Sequence, residues 1–179
     1  MEIDLSSERL NLNILEPYLG SVFSSMKGIA KNNLKLYSED GHQYLVGDAT
    51  IDSGSVVVAY TQCKYLFNNE TISFKKNEID LGSIRLKDTL SNQGMVSGRM
   101  RHQFFKSFSF HDIRFETSKM LLLNTTKKDN SQFYGNVIGN ALMKLNGPVT
   151  NLVMDIKGQP STLDSSHIYL PTGNVSKES

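Results

Sequence analysis

One cysteine, no tryptophan, four prolines and a near-zero net charge mark this 179-residue chain, and each shortage excludes something. Cys63 stands alone, so an internal disulfide and every multi-cysteine metal site are ruled out, although the compartment is not decided by that. Nineteen Lys and Arg against eighteen Asp and Glu leave a formal charge of +1. Such a balance supplies no long-range field to draw in nucleic acid or an anionic membrane. No apolar run approaches the length of a membrane span, and the first residues lack the basic-then-apolar order of a signal peptide.

Signatures of chemistry are missing as well. Of the four histidines (His42, His102, His111 and His167), none has a second His, Cys, Asp or Glu at ligand spacing. The one exception is the adjacent His111-Asp112 pair, whose side chains point to opposite faces of a strand. All four read as solvated surface residues. No serine sits in a Gly-x-Ser-x-Gly elbow, and no glycine-rich turn precedes a helix where phosphate could be held. The reading is therefore of a protein without catalytic residues, metal or cofactor. Three Asn-x-Ser/Thr triplets begin at Asn69, Asn124 and Asn174, about as many as so polar a composition gives by chance.

What is present is alternation. From Gly94 to Gly158 the chain reads as four or five strands cut by Gly and Asn, ending in Leu152, Met154 and Ile156 opposite Val153, Asp155 and Lys157. That last pattern describes a half-buried strand. Earlier, Arg9 to Ile14 alternates, and strands fill the chain again from about residue 29 to 170, with turns at Glu39-Asp40-Gly41, Asp52-Ser53-Gly54, Asn68-Asn69-Glu70 and Asn77. Two strands change phase, at Gly82-Ser83 and at His111-Asp112. A one-residue slip would turn the oily face outward unless a β-bulge absorbs it and bends the strand. Both are read as bulges in a sheet that curls with its apolar side concave. The basic group Arg99, Arg101, His102 and Lys106 reads as a solvated face, and Phe104, Phe105 and Phe108 as packing inward.

One helix is expected, over about 16–27. Leu15, Tyr18, Leu19, Val22, Phe23 and Met26 recur at three-and-four spacing, Pro17 suits a first turn and Gly28 a stop. Such a face would plug one end of the sheet. Glu2, Asp4, Ser6 and Ser7 read as a linker, which makes the chain a piece of something longer. Thr172 to Ser179 reads as a frayed end or the start of a connection. The whole is a single all-β domain.

Several phrases in order carry a resemblance: Leu10–Leu19 (LNLNILEPYL), Asp52–Tyr60, Lys64–Phe67, Ile79–Leu86 (IDLGSIRL), Gly98–His102, Gly147-Pro148-Val149 and Ile168–Pro171. Leu123–Gly135 (LNTTKKDNSQFYG) is the most specific of them. Together they cover nearly the whole chain, which resembles the C-terminal region of TamB-like proteins, the translocation and assembly module family, in the form carried by Bacteroidetes. The resemblance implies one long antiparallel sheet folded into an open trough with a hydrophobic interior. It also implies a bridge-type lipid carrier of the AsmA-like class in the periplasm of a Gram-negative envelope, anchored in the inner membrane through the rest of its own longer chain. Its far end would meet a BamA-like outer-membrane barrel protein, in support of phospholipid transport and outer-membrane protein assembly or secretion. The family carries no catalytic residue.

On that footing the groove is lined by Leu34, Leu36, Val56, Val58, Ile84, Leu86, Phe108, Phe110, Met143, Leu145, Leu152, Met154 and Ile156. About ten strands at roughly 4.8 Å make a trough on the order of 45–50 Å long, long enough for several phospholipid acyl chains. Burial there stabilises by about 0.8 kcal/mol per CH2. The alternative reading is a structural or chaperone-like β-repeat module that takes outer-membrane protein strands by edge pairing.

Overall fold

A computed structural model describes residues 2–170; the tail expected over 172–179 and the triplet at Asn174 lie outside them. The described residues form one antiparallel sheet of eleven strands. They are β1 (Glu2–Asn11), β2 (Phe23–Glu39), β3 (His42–Val58), β4 (Lys64–Phe67), β5 (Glu70–Lys75), β6 (Glu78–Asp88), β7 (Gln93–Gln103), β8 (Lys106–Thr125), β9 (Tyr134–Pro148), β10 (Val153–Pro160) and β11 (His167–Tyr169). The order is β1-β2-β3-β4-β6-β7-β8-β9-β10, with β5 beside β4 between β3 and β6, and β11 beside β10 on β9. Each pair of short strands thus fills one lane of a meander.

The turns follow local chemistry. Asp40 and Gly41 both have positive φ (51° and 76°) and close β2 onto β3 in a two-residue hairpin, Glu39 facing His42. Breaks at Asn69 and Asn77 also stand where the sequence places them. The two phase slips are bulges: the ladder shifts register between Asp80 and Gly82 and between Phe110 and Ile113, with Gly82 and Asp112 at φ near 50–60°.

Five expectations are corrected. No helix spans 16–27: a 3-10 turn (Leu12–Leu15) and a single α turn (Glu16–Leu19) are followed at once by β2. Gly20, Ser21, Ser24 and Ser25 are weak helix formers, and pairing along the whole of β3 outweighs an isolated amphipathic face. The two short turns still pack inward: Leu12 and Leu19 are buried, and Glu16 accepts the main-chain N–H of Met26 at 3.0 Å. Gly28, expected as a helix stop, instead lies inside β2, where a Cβ would come within 2.5 Å of the Ser53 carbonyl oxygen. Asp52-Ser53-Gly54 does not turn, because Ser53 and Gly54 pair with Ile29 and Gly28 in an unbroken β3, and a register shift replaces the turn. Finally, Glu2–Ser7 is strand rather than linker, and residues 12–14 of the expected first strand belong to the 3-10 turn.

The apolar face is continuous. One row across the sheet reads Leu5, Leu34, Gly47, Phe74, Ile79, Met100 and Phe110; another reads Ile84, Val96, Phe115, Met143 and Ile156. Most members form the core, Phe110 and Ile84 included, while the outer ends on β1 and β10 come out of it. Leu34 is 5 % exposed and Phe115 7 %, against 41 % for Leu5 and 57 % for Ile156. Strand β10 is exposed along its whole length, so the half-buried strand expected there is not formed; nothing in the described chain packs over it.

Candidate apolar groove and the faces around it

The thirteen residues expected to line a groove separate by position in the sheet. Leu34, Ile84, Leu86, Phe108, Phe110 and Leu145 are buried in one cluster, with Val56, Val58, Met143 and Leu152 packed against it. Leu36 is half-buried, between Ile3 and Leu45 on the neighbouring strands. Met154 and Ile156 lie beyond the cluster, exposed on β10 beside Leu145 and Met143. The register thus brings ten together and leaves three where the face opens.

Contacts between non-neighbouring strands hold the two ends of this face. Phe104, in the turn between β7 and β8, stacks on His42 of the β2–β3 hairpin at 4.0 Å between ring centroids and meets Tyr44 at 5.6 Å. That turn is strained: Phe104 (φ 51°) and Phe105 (φ 58°) both occupy the left-handed region that bulky side chains avoid. At the opposite end Asn124 donates its main-chain N–H to the Thr61 carbonyl at 2.8 Å, and Tyr60 meets Phe133 edge-on at 5.5 Å.

The deepest polar groups were not legible in the sequence. Asp88 is almost fully buried and accepts from the main-chain N–H groups of Leu90 (2.9 Å), Asn92 (2.8 Å) and Leu121 (2.7 Å), and from the Asn92 side-chain amide (2.9 Å). The local part is an aspartate ordering the turn after its own strand, a signal the residues Asp88–Asn92 do carry. Tyr65 donates its hydroxyl to the Leu121 carbonyl at 2.9 Å, and burial pushes its ionisation well above the ordinary phenol range. Cys63 is fully buried, and desolvation raises its thiol likewise, which makes it inert.

Among the histidines one correction is needed. His102 is buried, stacked on Phe105 at 4.4 Å and beside Phe108 at 5.4 Å, because its register places it on the inner side. Its Nδ1 accepts the Phe105 N–H at 3.2 Å, its Nε2 has no partner among the described residues, and burial lowers its pKa. The rest of the basic group is solvated, and its two arginines are ion-paired: Arg101 lies 3.3 Å from Glu78, and Arg99 lies 3.8 Å from Asp112. No group of three His, Cys, Asp or Glu able to hold a metal occurs among the described residues.

A cleft of about 970 Å3 opens on the polar face instead, along the row Arg85, Met95, Glu116, Leu142 and Lys157, with Gln93, Arg114, Asn140 and Gln159 at its sides. None of the thirteen groove candidates lines it. Compared with protein-family models, with curated proteins and with solved structures, this chain finds no match.

Proposed function

We propose that this chain is a periplasmic, lipid-handling segment of a TamB-like envelope protein, in which the apolar face of the sheet is the floor of an open trough. One observation carries the reading: two apolar rows, one from β1 to β8 and one from β6 to β10, together reach both edges of the sheet, largely buried where they overlap and bare at their outer ends, with Ile3 and Leu5 exposed on β1 and Met154 and Ile156 on β10. A closed β-module would cover such side chains. A segment of a longer groove leaves them for further strands or for acyl chains, each CH2 of which gains about 0.8 kcal/mol on burial. Phospholipid chains are the cargo in this reading, and an outer-membrane barrel of the BamA-like class and the rest of a longer, inner-membrane-anchored chain are the partners.

The test is mass spectrometry of an organic extract of the purified protein, beside a lipid-free β-protein of similar size. Phospholipid should co-purify in near-stoichiometric amounts, and Met154→Asp, at a position already 42 % exposed, should lower it several-fold in a folded protein. A clean wild-type extract would sink the reading.

A second reading rests on β10, which pairs only with β9 and presents its other edge to solvent among the described residues. Edge pairing with an unfolded outer-membrane strand would use that free ladder. Hydrogen exchange checks it: β10 amides should slow on addition of a denatured barrel protein and not of the same protein folded.

A further inference from the structure

The cleft on the polar face has features that a merely solvated sheet face does not need. The chain as a whole carries +1, yet the groups lining this cleft and the smaller one beside it, which share Arg114, are Arg85, Arg114, Lys144 and Lys157 against Glu116 and Asp112. Positive charge is therefore concentrated here. Its internal neutralisation is incomplete. Arg85 pairs with Glu70 at 2.9 Å and Arg114 with Glu116 at 2.8 Å, while Asp112 leans on Arg99 outside the cleft at 3.8 Å. Lys144 and Lys157 form no ion pair among the described residues, although Asp155 stands across from Lys144 in the ladder. Moreover Arg114 and Lys144 face each other directly on adjacent strands, a like-charge pairing that Glu116 relieves only at Arg114.

The uncharged lining narrows the class of anion. Gln93, Asn140 and Gln159 offer amides, and Thr117 and Ser118 offer hydroxyls, at the sides of a floor made by the Met95 and Leu142 side chains. Amides and hydroxyls match the hydroxyls of a sugar, and the aliphatic floor suits the C–H face of a pyranose ring. From β6 to β10 the cleft crosses five strands, a span of about 19 Å at the usual strand spacing, which is the length of a short oligosaccharide.

We propose that this face binds an acidic oligosaccharide, a chain of sugar units bearing carboxylate or phosphate, laid across β6–β10. The site lies on the opposite side of the sheet from the apolar rows, so it stands or falls independently of any lipid. Calorimetric titration of the purified protein at low salt with tetragalacturonate, maltotetraose and hexaglutamate tests it. Tetragalacturonate should bind at least tenfold more tightly than neutral maltotetraose. The double variant Arg114→Gln/Lys157→Gln should lose about tenfold, while Lys35→Gln, on β2, should not change the affinity. Both sites are exposed, and an unchanged urea midpoint certifies the fold. Absence of tetragalacturonate binding, equal binding by the variant, or equal binding of maltotetraose overturns the proposal. Hexaglutamate binding as tightly would overturn it too, assigning the cleft to acidic peptide.

Discussion

The Leu121 main chain is held on both sides by side chains far away in sequence: its N–H donates to Asp88 Oδ2 at 2.7 Å and its carbonyl accepts from Tyr65 Oη at 2.9 Å. The reason is geometric. Strand β8 outruns β7, whose ladder to it begins at Gly94 opposite Thr117, so residues past Thr117 have no β7 neighbour. Two polar side chains from β4 and β6 supply the partners that a missing strand would have given. An unsatisfied main-chain group at this depth would be costly.

Replacing either side chain should therefore act as a backbone defect. Asp88→Asn removes one acceptor oxygen from a fully occupied carboxylate and should cost about 1.5–3 kcal/mol; Tyr65→Phe should cost about 1–2 kcal/mol. Since both bind the same residue, the double variant should lose less than the sum. Urea midpoints of the four proteins, read at constant m-value, check this.

His102 gives a pH dependence with a definite sign. Burial depresses its folded-state pKa, so below about 6.5 the unfolded chain binds more protons than the native one. Its contribution is complete above the unfolded value and is lost as pH falls below it, at up to about 1.4 kcal/mol per pH unit for one proton. The urea midpoint should drop between pH 7.5 and 5.5, and His102→Phe should flatten that slope whatever its effect at neutral pH. An unchanged slope in the variant would remove His102 as the cause.

The Phe104–Phe105 turn separates strain from contact. Phe104→Ala keeps the left-handed backbone and removes the stack on His42, losing about 0.5–1.5 kcal/mol. Phe104→Asn removes the same stack but tolerates positive φ, so it should be more stable than the alanine variant by about 0.5–1 kcal/mol. Thermal or urea melts of the pair give that difference directly. Equal stability would mean that the turn relaxes once the ring is gone.

What the sequence conveyed, and what it hid, has a common physical origin. Bulges at Gly82 and at His111-Asp112 were legible because a phase slip leaves a mark in period-2 alternation. The Asp40-Gly41 hairpin was legible because positive φ at both positions selects those residues. The helix failed for an equally definite reason. Val22 and Met26, two members of the expected helical face, lie four apart, and β2 continues the same spacing beyond that face with its buried Ala30 and Leu34. Four is close to one helical turn and is also a multiple of two, so a strand with a small or polar residue at each intermediate inward position mimics a helical stripe. Asp52-Ser53-Gly54 has turn chemistry, but the pairing of Ser53 and Gly54 with Ile29 and Gly28 overrides it. Exposure of Met154 and Ile156 follows from which strands lie over which. The pairing of Asp88 and Tyr65 with Leu121 is fixed by long-range register. No local pattern records either.

Every pairing in the sheet joins strands adjacent or next-but-one in the chain. The kinetic consequence is that the fold needs no contact between its distant ends in order to start. Each hairpin closes a short loop whose entropy cost grows only logarithmically with length. Structure can then spread serially, strand upon strand, as residues emerge from a pore or a ribosome. A chain organised this way can be lengthened by any number of hairpins without slowing the steps already taken.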